Sequence, residues 1–325
     1  MSSSSVLAPA PPAAVPRAPR RRTMTAWAAV VLALVAVAVL PLYLSAYWLQ
    51  VVLSVCALSV GTIGLSVLTG AGQLSLANPF FMAVGALTYV VLAAEPDPGG
   101  LVGLGWDPVL SAVVGVLVAG LAGLVFAPIA SRLSGIYLGM ASLGLVLLAT
   151  HVFNNATSLS GGFNGRRTPD LAVLGVVFGR SADPVLVLGV PYGRLEWLWY
   201  VGIGCVVVAA LFAANLLRSR SGRALRLLAA GEVTASVAGV DVRGAKARVF
   251  FLSSLYAGLS GVLYALSVGS IAPSTFGFDL SLQLLAMVVI GGIGSVWGAV
   301  AGTAFVVCLP LVLQSALADA SALDA

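Results

Sequence analysis

The chain has 325 residues, 60% hydrophobic and 8% charged, with a mean hydropathy of +1.08 and a net charge of +5. A soluble domain carries about 25% charged residues, so this composition excludes a water-facing globular surface. The apolar residues fall in runs long enough for helices to cross a hydrocarbon layer about 30 Å thick, which predicts an all-α, polytopic membrane protein.

Residues 1–23 hold five prolines and the cluster Arg17, Arg20, Arg21 and Arg22 without an apolar period, the pattern of a disordered basic tail. The run from Ala26 to Leu44 is longer than the core of a cleaved signal peptide. It is expected as a first span, with the arginines holding the N-terminus in the cytoplasm. Further apolar runs extend over Tyr47–Leu68, Phe80–Ala94, Pro108–Ala130, Leu133–Phe153, Trp197–Leu217, Val249–Leu266 and Leu280–Leu317. The last is too long for one span and breaks at Gly291, Gly292 and Gly294. About nine spans are therefore expected, some broken or re-entrant, within a membrane domain over 24–317 followed by a short tail over 318–325.

Charge sets the expected orientation. Between Arg218 and Arg248 lie seven basic residues and two acids, Glu232 and Asp241, so this one loop accounts for the net charge of the chain. Lys and Arg are retained on the cytoplasmic side, which puts this loop and Arg132 inside. The acidic segment Glu95–Asp107 and the long loop Asn154–Glu196 then fall outside. A basic excess confined to one membrane loop calls for lipid and protein contacts, not nucleic acid.

The segment Gly70–Pro79 interrupts the apolar pattern with Gln73, Ser75 and Asn78. Such backbone is tolerated at membrane depth only when buried in protein or lining a watery cavity. Two readings stand: a short cytoplasmic loop, or a broken helix on a permeation path. Gly294, Gly298 and Gly302 form a GxxxGxxxG stripe, and Ala119/Gly123, Ser254/Gly258 and Ala257/Gly261 form small-xxx-small pairs. Small residues four apart let helix backbones approach closely, so these read as packing sites. Val233, Val237 and Val240 repeat with helical spacing inside the charged loop, predicting a short amphipathic helix over Glu232–Val242. It suits either a groove on a partner protein or the lipid surface.

Enzyme chemistry finds no purchase. The one histidine, His151, lacks HExxH or paired Cys/His context. The three cysteines, Cys56, Cys205 and Cys308, stand far apart in apolar runs. A nucleotide-binding P-loop needs GxxxxGK[ST], and the only lysine is Lys246 in Gly244–Arg248. If the protein pumps, ATP and Mg are bound by a separate polypeptide, and no cofactor is expected in this chain.

Four sets of residues together resemble the inner-membrane permeases of ABC transporters for branched-chain amino acids, specifically the M-type subunit of the Liv system. Leu68–Tyr89 is similar to the family's GxxGQxSLGxxAFxxxGAY. Gly135–Gly144, with Tyr137 and Ser142, and Ser160–Gly165 are similar to its YFAxxTL and TGGxxG elements. Gly222–Arg226 through Gly239–Val242, followed by Phe250–Tyr264, resembles its ATPase-docking loop and the helix after it. Gly291–Ser295 matches GGxGS. The series runs in family order from about residue 60 to about 305.

The resemblance implies that Gln73, Ser75, Asn78, Tyr137 and Ser142 lie along the substrate pathway, and that Glu232, Ala235 and Gly239 belong to a coupling helix. It also implies a homologous H-type permease, two cytoplasmic ATPase subunits and an extracytoplasmic solute-binding protein, in a bacterial plasma membrane. Ala77-Asn78-Pro79, Ser142 and Ser160 depart from the family pattern near the pathway. They leave urea, short amides or another small metabolite open beside amino acids. A stand-alone channel or secondary carrier is the competing class.

Overall fold

The computed structural model describes residues 40, 41, 43–95, 101–133, 135–173, 176–178, 185–187 and 190–323. The expected tail over 1–23 and most of the expected first span lie outside the described residues. Among the described residues from Ala46 onward, eleven α-helices follow in chain order: α1 (Ala46–Gly70), α2 (Asn78–Ala93), α3 (Pro108–Arg132), α4 (Ile136–Asn155), the single turn α5 (Thr157–Ser160), α6 (Arg194–Arg218), α7 (Arg220–Ala230), α8 (Glu232–Val237), α9 (Val242–Val268), α10 (Phe278–Gly291) and α11 (Val296–Leu323). Eight of them coincide with the apolar runs from Tyr47 onward. Six are long and apolar enough to cross a membrane, while α2 and α10 are shorter apolar helices. This is an all-α, multi-pass membrane protein.

Two helices form its centre. In α1 and α9, 83% and 72% of the most apolar stretch is buried, against 22–28% in the other four long helices. Helix α9 packs on α1, α2 and α3, and α1 also meets α6 and α11. Small residues make this approach possible. The Ala119/Gly123 face of α3 meets the Ser254/Gly258 face of α9, and a Cβ on Gly261 would overlap the Met82 backbone in α2. Helix α3 instead turns Leu110, Val113, Leu117 and Leu121 outward, an apolar stripe suited to lipid.

Glycine spacing misassigned one residue. Gly298 and Gly302 abut α10 at Gly291 and Met287, but Gly294 lies in the turn before α11 with a φ of 77°, facing Gly70. The stripe is therefore divided between two neighbours.

Hydroxyls and amides tie the centre together over long sequence separations. Gln50 Nε2 donates to the Ser267 carbonyl at 2.7 Å, and Ser260 Oγ donates to the Ala57 carbonyl at 2.7 Å. Thr62 and Thr303 share a hydrogen bond of 2.8 Å. Between α5 and α6 the long loop carries short antiparallel pairs, β2 (Leu171–Val173) with β3 (Val176–Phe178) and β4 (Val185–Val187) with β5 (Val190–Tyr192). The preceding β1 (Arg166–Arg167) pairs with β6 (Ser270–Ile271) after α9. These strands were not anticipated from the sequence.

Candidate functional site

The chain is interrupted twice, each time after a long central helix and before a short one. The first interruption, residues 71–77, separates α1 from α2. Gly72 takes a φ of 79°, conformational freedom that only glycine has cheaply, and the chain turns back along α1. Asn78 Nδ2 then donates to the Gly61 carbonyl at 3.2 Å, about 13 Å before the end of α1 at 1.5 Å per residue. The segment is thus a re-entrant break that starts α2 partway along its neighbour, not a loop at the bundle end. This favours a broken segment over a short loop at the bundle end.

Neighbouring helices satisfy the broken backbone. Leu76 N donates to Ser142 Oγ at 2.8 Å, and Ser281 Oγ donates to the Leu76 carbonyl at 3.1 Å. Ser75 Oγ accepts from Ala77 N at 3.2 Å. Ser142, Ser75, Asn78 and Gln73 are all buried, at 0–4% exposure. Irregular backbone in a membrane persists only with such partners. Gln73 differs, because neither its Oε1 nor its Nε2 has a hydrogen-bond partner among the described residues.

Tyr137 does not join this group. It is 65% exposed, because five residues of α-helix rotate it by about 140° from Ser142. The structure therefore separates it from Gln73, Ser75, Asn78 and Ser142.

The second interruption, residues 269–277, separates α9 from α10. Gly269 also has a φ of 79°. Here the partners are β1 and an ion pair: Arg194 Nε lies 3.1 Å from Asp170 Oδ1, and Arg194 Nη2 donates to the Leu266 carbonyl at 2.6 Å. A polar cavity of about 380 Å³ opens there, lined by Arg167, Thr168, Asp170 and Arg194 among others.

The arginine-rich loop is more ordered than its composition suggested. Ser219 caps α7 by accepting from Gly222 N at 3.4 Å, and Asp241 caps α9 by accepting from Gly244 N at 3.1 Å. Helix α7, unanticipated from the sequence, buries Gly222, Leu225 and Leu228; their i, i+3, i+6 spacing was the available signal. The expected helix over Glu232–Val242 ends at Val237, because Gly239 has a φ of 76°.

Ala235 corrects the docking assignment. It is fully buried in this chain, so it anchors α8 and offers nothing to a partner, whereas Val233 and Val237 are 77% and 84% exposed. Residues two apart on a helix point about 200° apart, which accounts for the opposed faces. Glu232 Oε1 accepts from Lys246 Nζ at 2.6 Å. A Cβ at Gly239 would meet nothing within 4 Å.

Comparison with known proteins matches residues 47–321 to the family described as branched-chain amino acid transport system / permease component. The high-affinity branched-chain amino acid transport system permease protein LivM of Escherichia coli (strain K12) is 32% identical over 244 residues, 72% of this chain and 56% of that protein. A probable LivM of Methanocaldococcus jannaschii is 26% identical over 211 residues, covering 63% of this chain and 55% of that one. The ribose import permease protein RbsC of Escherichia coli (strain K12) is 29% identical over 227 residues, 65% and 64% of the two chains. The chain spans a little over half the length of the LivM relatives that it matches. No solved structure gives a significant match. With most of its membrane helices inside the matched region, this chain belongs to the branched-chain amino acid transport system permease family.

Proposed function

We propose that the chain is the membrane-spanning permease subunit of an ABC importer, moving a branched-chain or other small amino acid with ATP hydrolysed by separate subunits. Family membership supports this reading, and so do the LivM relatives. The observation that carries it is α8, a six-residue helix in the arginine-rich loop that is anchored inward by Ala235 and presents Val233 and Val237 outward. An exposed apolar pair on a short, rigidly held helix fits a groove on a partner protein. The chain lacks a P-loop lysine motif, so ATP and Mg belong to two cytoplasmic ATPase subunits. A homologous H-type permease and an extracytoplasmic solute-binding protein complete the assembly, in the bacterial plasma membrane with the N-terminus inside.

The test is co-expression with candidate ATPase subunits and a solute-binding protein from the same genome. The isolated chain is expected to hydrolyse no ATP, and the assembly to hydrolyse it in response to substrate-loaded binding protein. Hydrolysis by the contaminant-free chain alone would refute the assignment. Similarity to the ribose permease favours a sugar as the second reading. Competition of leucine and ribose for uptake separates the two.

A further inference from the structure

Beside the first break lies a cavity of about 190 Å³, lined by Gly72, Gln73, Gly231, Glu232 and Lys246 among others. It joins the break to the docking helix. Lys246, the single lysine of the chain, has a side chain only 5% exposed. Its ammonium donates to Glu232 Oε1 at 2.6 Å and to the Ser131 carbonyl at 3.4 Å. Glu232 reaches in from the first residue of α8, with its own side chain 48% exposed. Gln73 lines the same cavity at 4% exposure, with both amide atoms unpartnered among the described residues. A buried carboxamide without hydrogen bonds is costly and calls for an explanation.

Removing one member of a buried ion pair leaves the other as an uncompensated charge. Outward movement of α8 would take Glu232 from Lys246 and leave its ammonium with the Ser131 carbonyl alone at 3.4 Å, and Gln73, whose amide is unpartnered among the described residues, lines the same cavity. We propose that Lys246 is a positioning residue that exchanges acceptors: Glu232 while α8 sits as described, and Gln73 when a docked partner draws α8 outward. Gln73 opens the break, whose Leu76 backbone is held by Ser142 and Ser281. A pull on Gln73 thus transmits the partner's movement to the re-entrant segment. This inference rests on the reading of α8 as the ATPase-docking element.

The test uses the full chain assembled with its ATPases in lipid vesicles. Because Lys246 is the only lysine, a zero-length carbodiimide cross-link from it to a carboxylate is assigned unambiguously by peptide mass spectrometry. In the nucleotide-free complex the link joins Lys246 to Glu232, and vanadate trapping with ATP is expected to reduce it roughly fivefold as the population shifts. In Gln73→Glu, trapping is expected to produce a link from Lys246 to position 73. Gln73→Leu leaves the Glu232 pair intact and is expected to lower uptake roughly tenfold while the ATPases still co-purify. Glu232→Gln is expected to lose uptake. Combined with Gln73→Glu it is expected to keep the chain folded and bound to its ATPases without restoring uptake, because Lys246 then stays paired with position 73 and no exchange takes place. A purely structural role for Lys246 predicts full rescue, and full rescue overturns the proposal. An unchanged Lys246–Glu232 link on trapping, or wild-type uptake by Gln73→Leu, overturns the proposal. Failure of the wild-type chain to bind any ATPase is a different result: it removes the functional reading and takes this proposal with it.

Discussion

The two interruptions share a plan and differ in what holds them. Each follows a long buried helix, turns at a glycine with a φ of 79° and leads into a helix of 16 or 14 residues, about 24 and 21 Å long and short of the hydrocarbon thickness. Residues 71–77 take their backbone partners from serines on α4 and α10. Residues 269–277 pair through β6 with β1 and accept from Thr168 N at the Gly269 carbonyl, beside the Arg194–Asp170 bridge. Short, interrupted hydrophobic segments in corresponding positions of two halves mark the substrate region in many transporters. The contrast lies in the direct backbone partners: neutral hydroxyls at Leu76 in the first break, and a strand pair at Ser270–Ile271 in the second.

Removing those hydroxyls should give the largest effect. Ser142→Ala combined with Ser281→Ala leaves both polar groups of Leu76 without their partners, at about 1–3 kcal/mol each. We expect a lowered thermal midpoint in detergent and reduced folded yield. Arg194→Met at the second interruption should cost less, about 1 kcal/mol, because a partly exposed ion pair contributes little and a single hydrogen bond to the Leu266 carbonyl adds about as much again at most. Equal losses would erase the distinction between the two breaks.

Their glycines give a finer comparison. A Cβ at Gly72 would lie 3.1 Å from the Ala229 Cα, part of the α7 backbone, while one at Gly269 would lie 3.0 Å from the side-chain guanidinium of Arg194. Both alanine variants carry the left-handed backbone penalty of about 1 kcal/mol, and only Gly72→Ala must also displace backbone. Gly72→Ala should therefore be the more destabilised in a chemical-denaturation series, and the reverse order would show that α7 yields easily.

Val237→Asp puts a carboxylate on a side chain already 84% exposed, so folding should change by less than about 0.5 kcal/mol. ATPase co-purification should nevertheless fall sharply if α8 docks there. Gly239→Arg carries the smallest docking information. The open space around Gly239 accommodates the side chain, and its φ of 76° adds strain of about 1 kcal/mol, so any loss of uptake must be read beside a stability measurement.

The hydrophobic runs made the membrane helices legible, because about 20 consecutive apolar residues have few alternatives to a span. Composition also exposed the break at Gln73, Ser75 and Asn78, but not the direction in which the chain turns. That direction depends on Gly72 and on partners at positions 142 and 281, far away in sequence. The valine spacing at 233, 237 and 240 identified a helix, yet it carried the helix too far and did not show that Ala235 faces inward. The strands of the long loop were missed because two- and three-residue pairs leave no period to read. The Glu232–Lys246 contact was illegible because a helix boundary and a turn at Gly239 intervene.

The long reach of the central hydrogen bonds also bears on how the protein is made. Gln50, Ala57, Thr62 and Leu76 lie near the start of the described chain, and their partners are Ser267, Ser260, Thr303 and Ser281. During synthesis α1 must enter the membrane before its distant partners exist, with hydroxyls such as Thr62 held meanwhile by carbonyls of their own helix, while most of the remaining chain is translated. Its completion is therefore timed by the last third of the message. Nascent chains arrested at residue 240 should expose Ser59 and Thr62 to a lipid-soluble label, and chains extended through α11 should protect both.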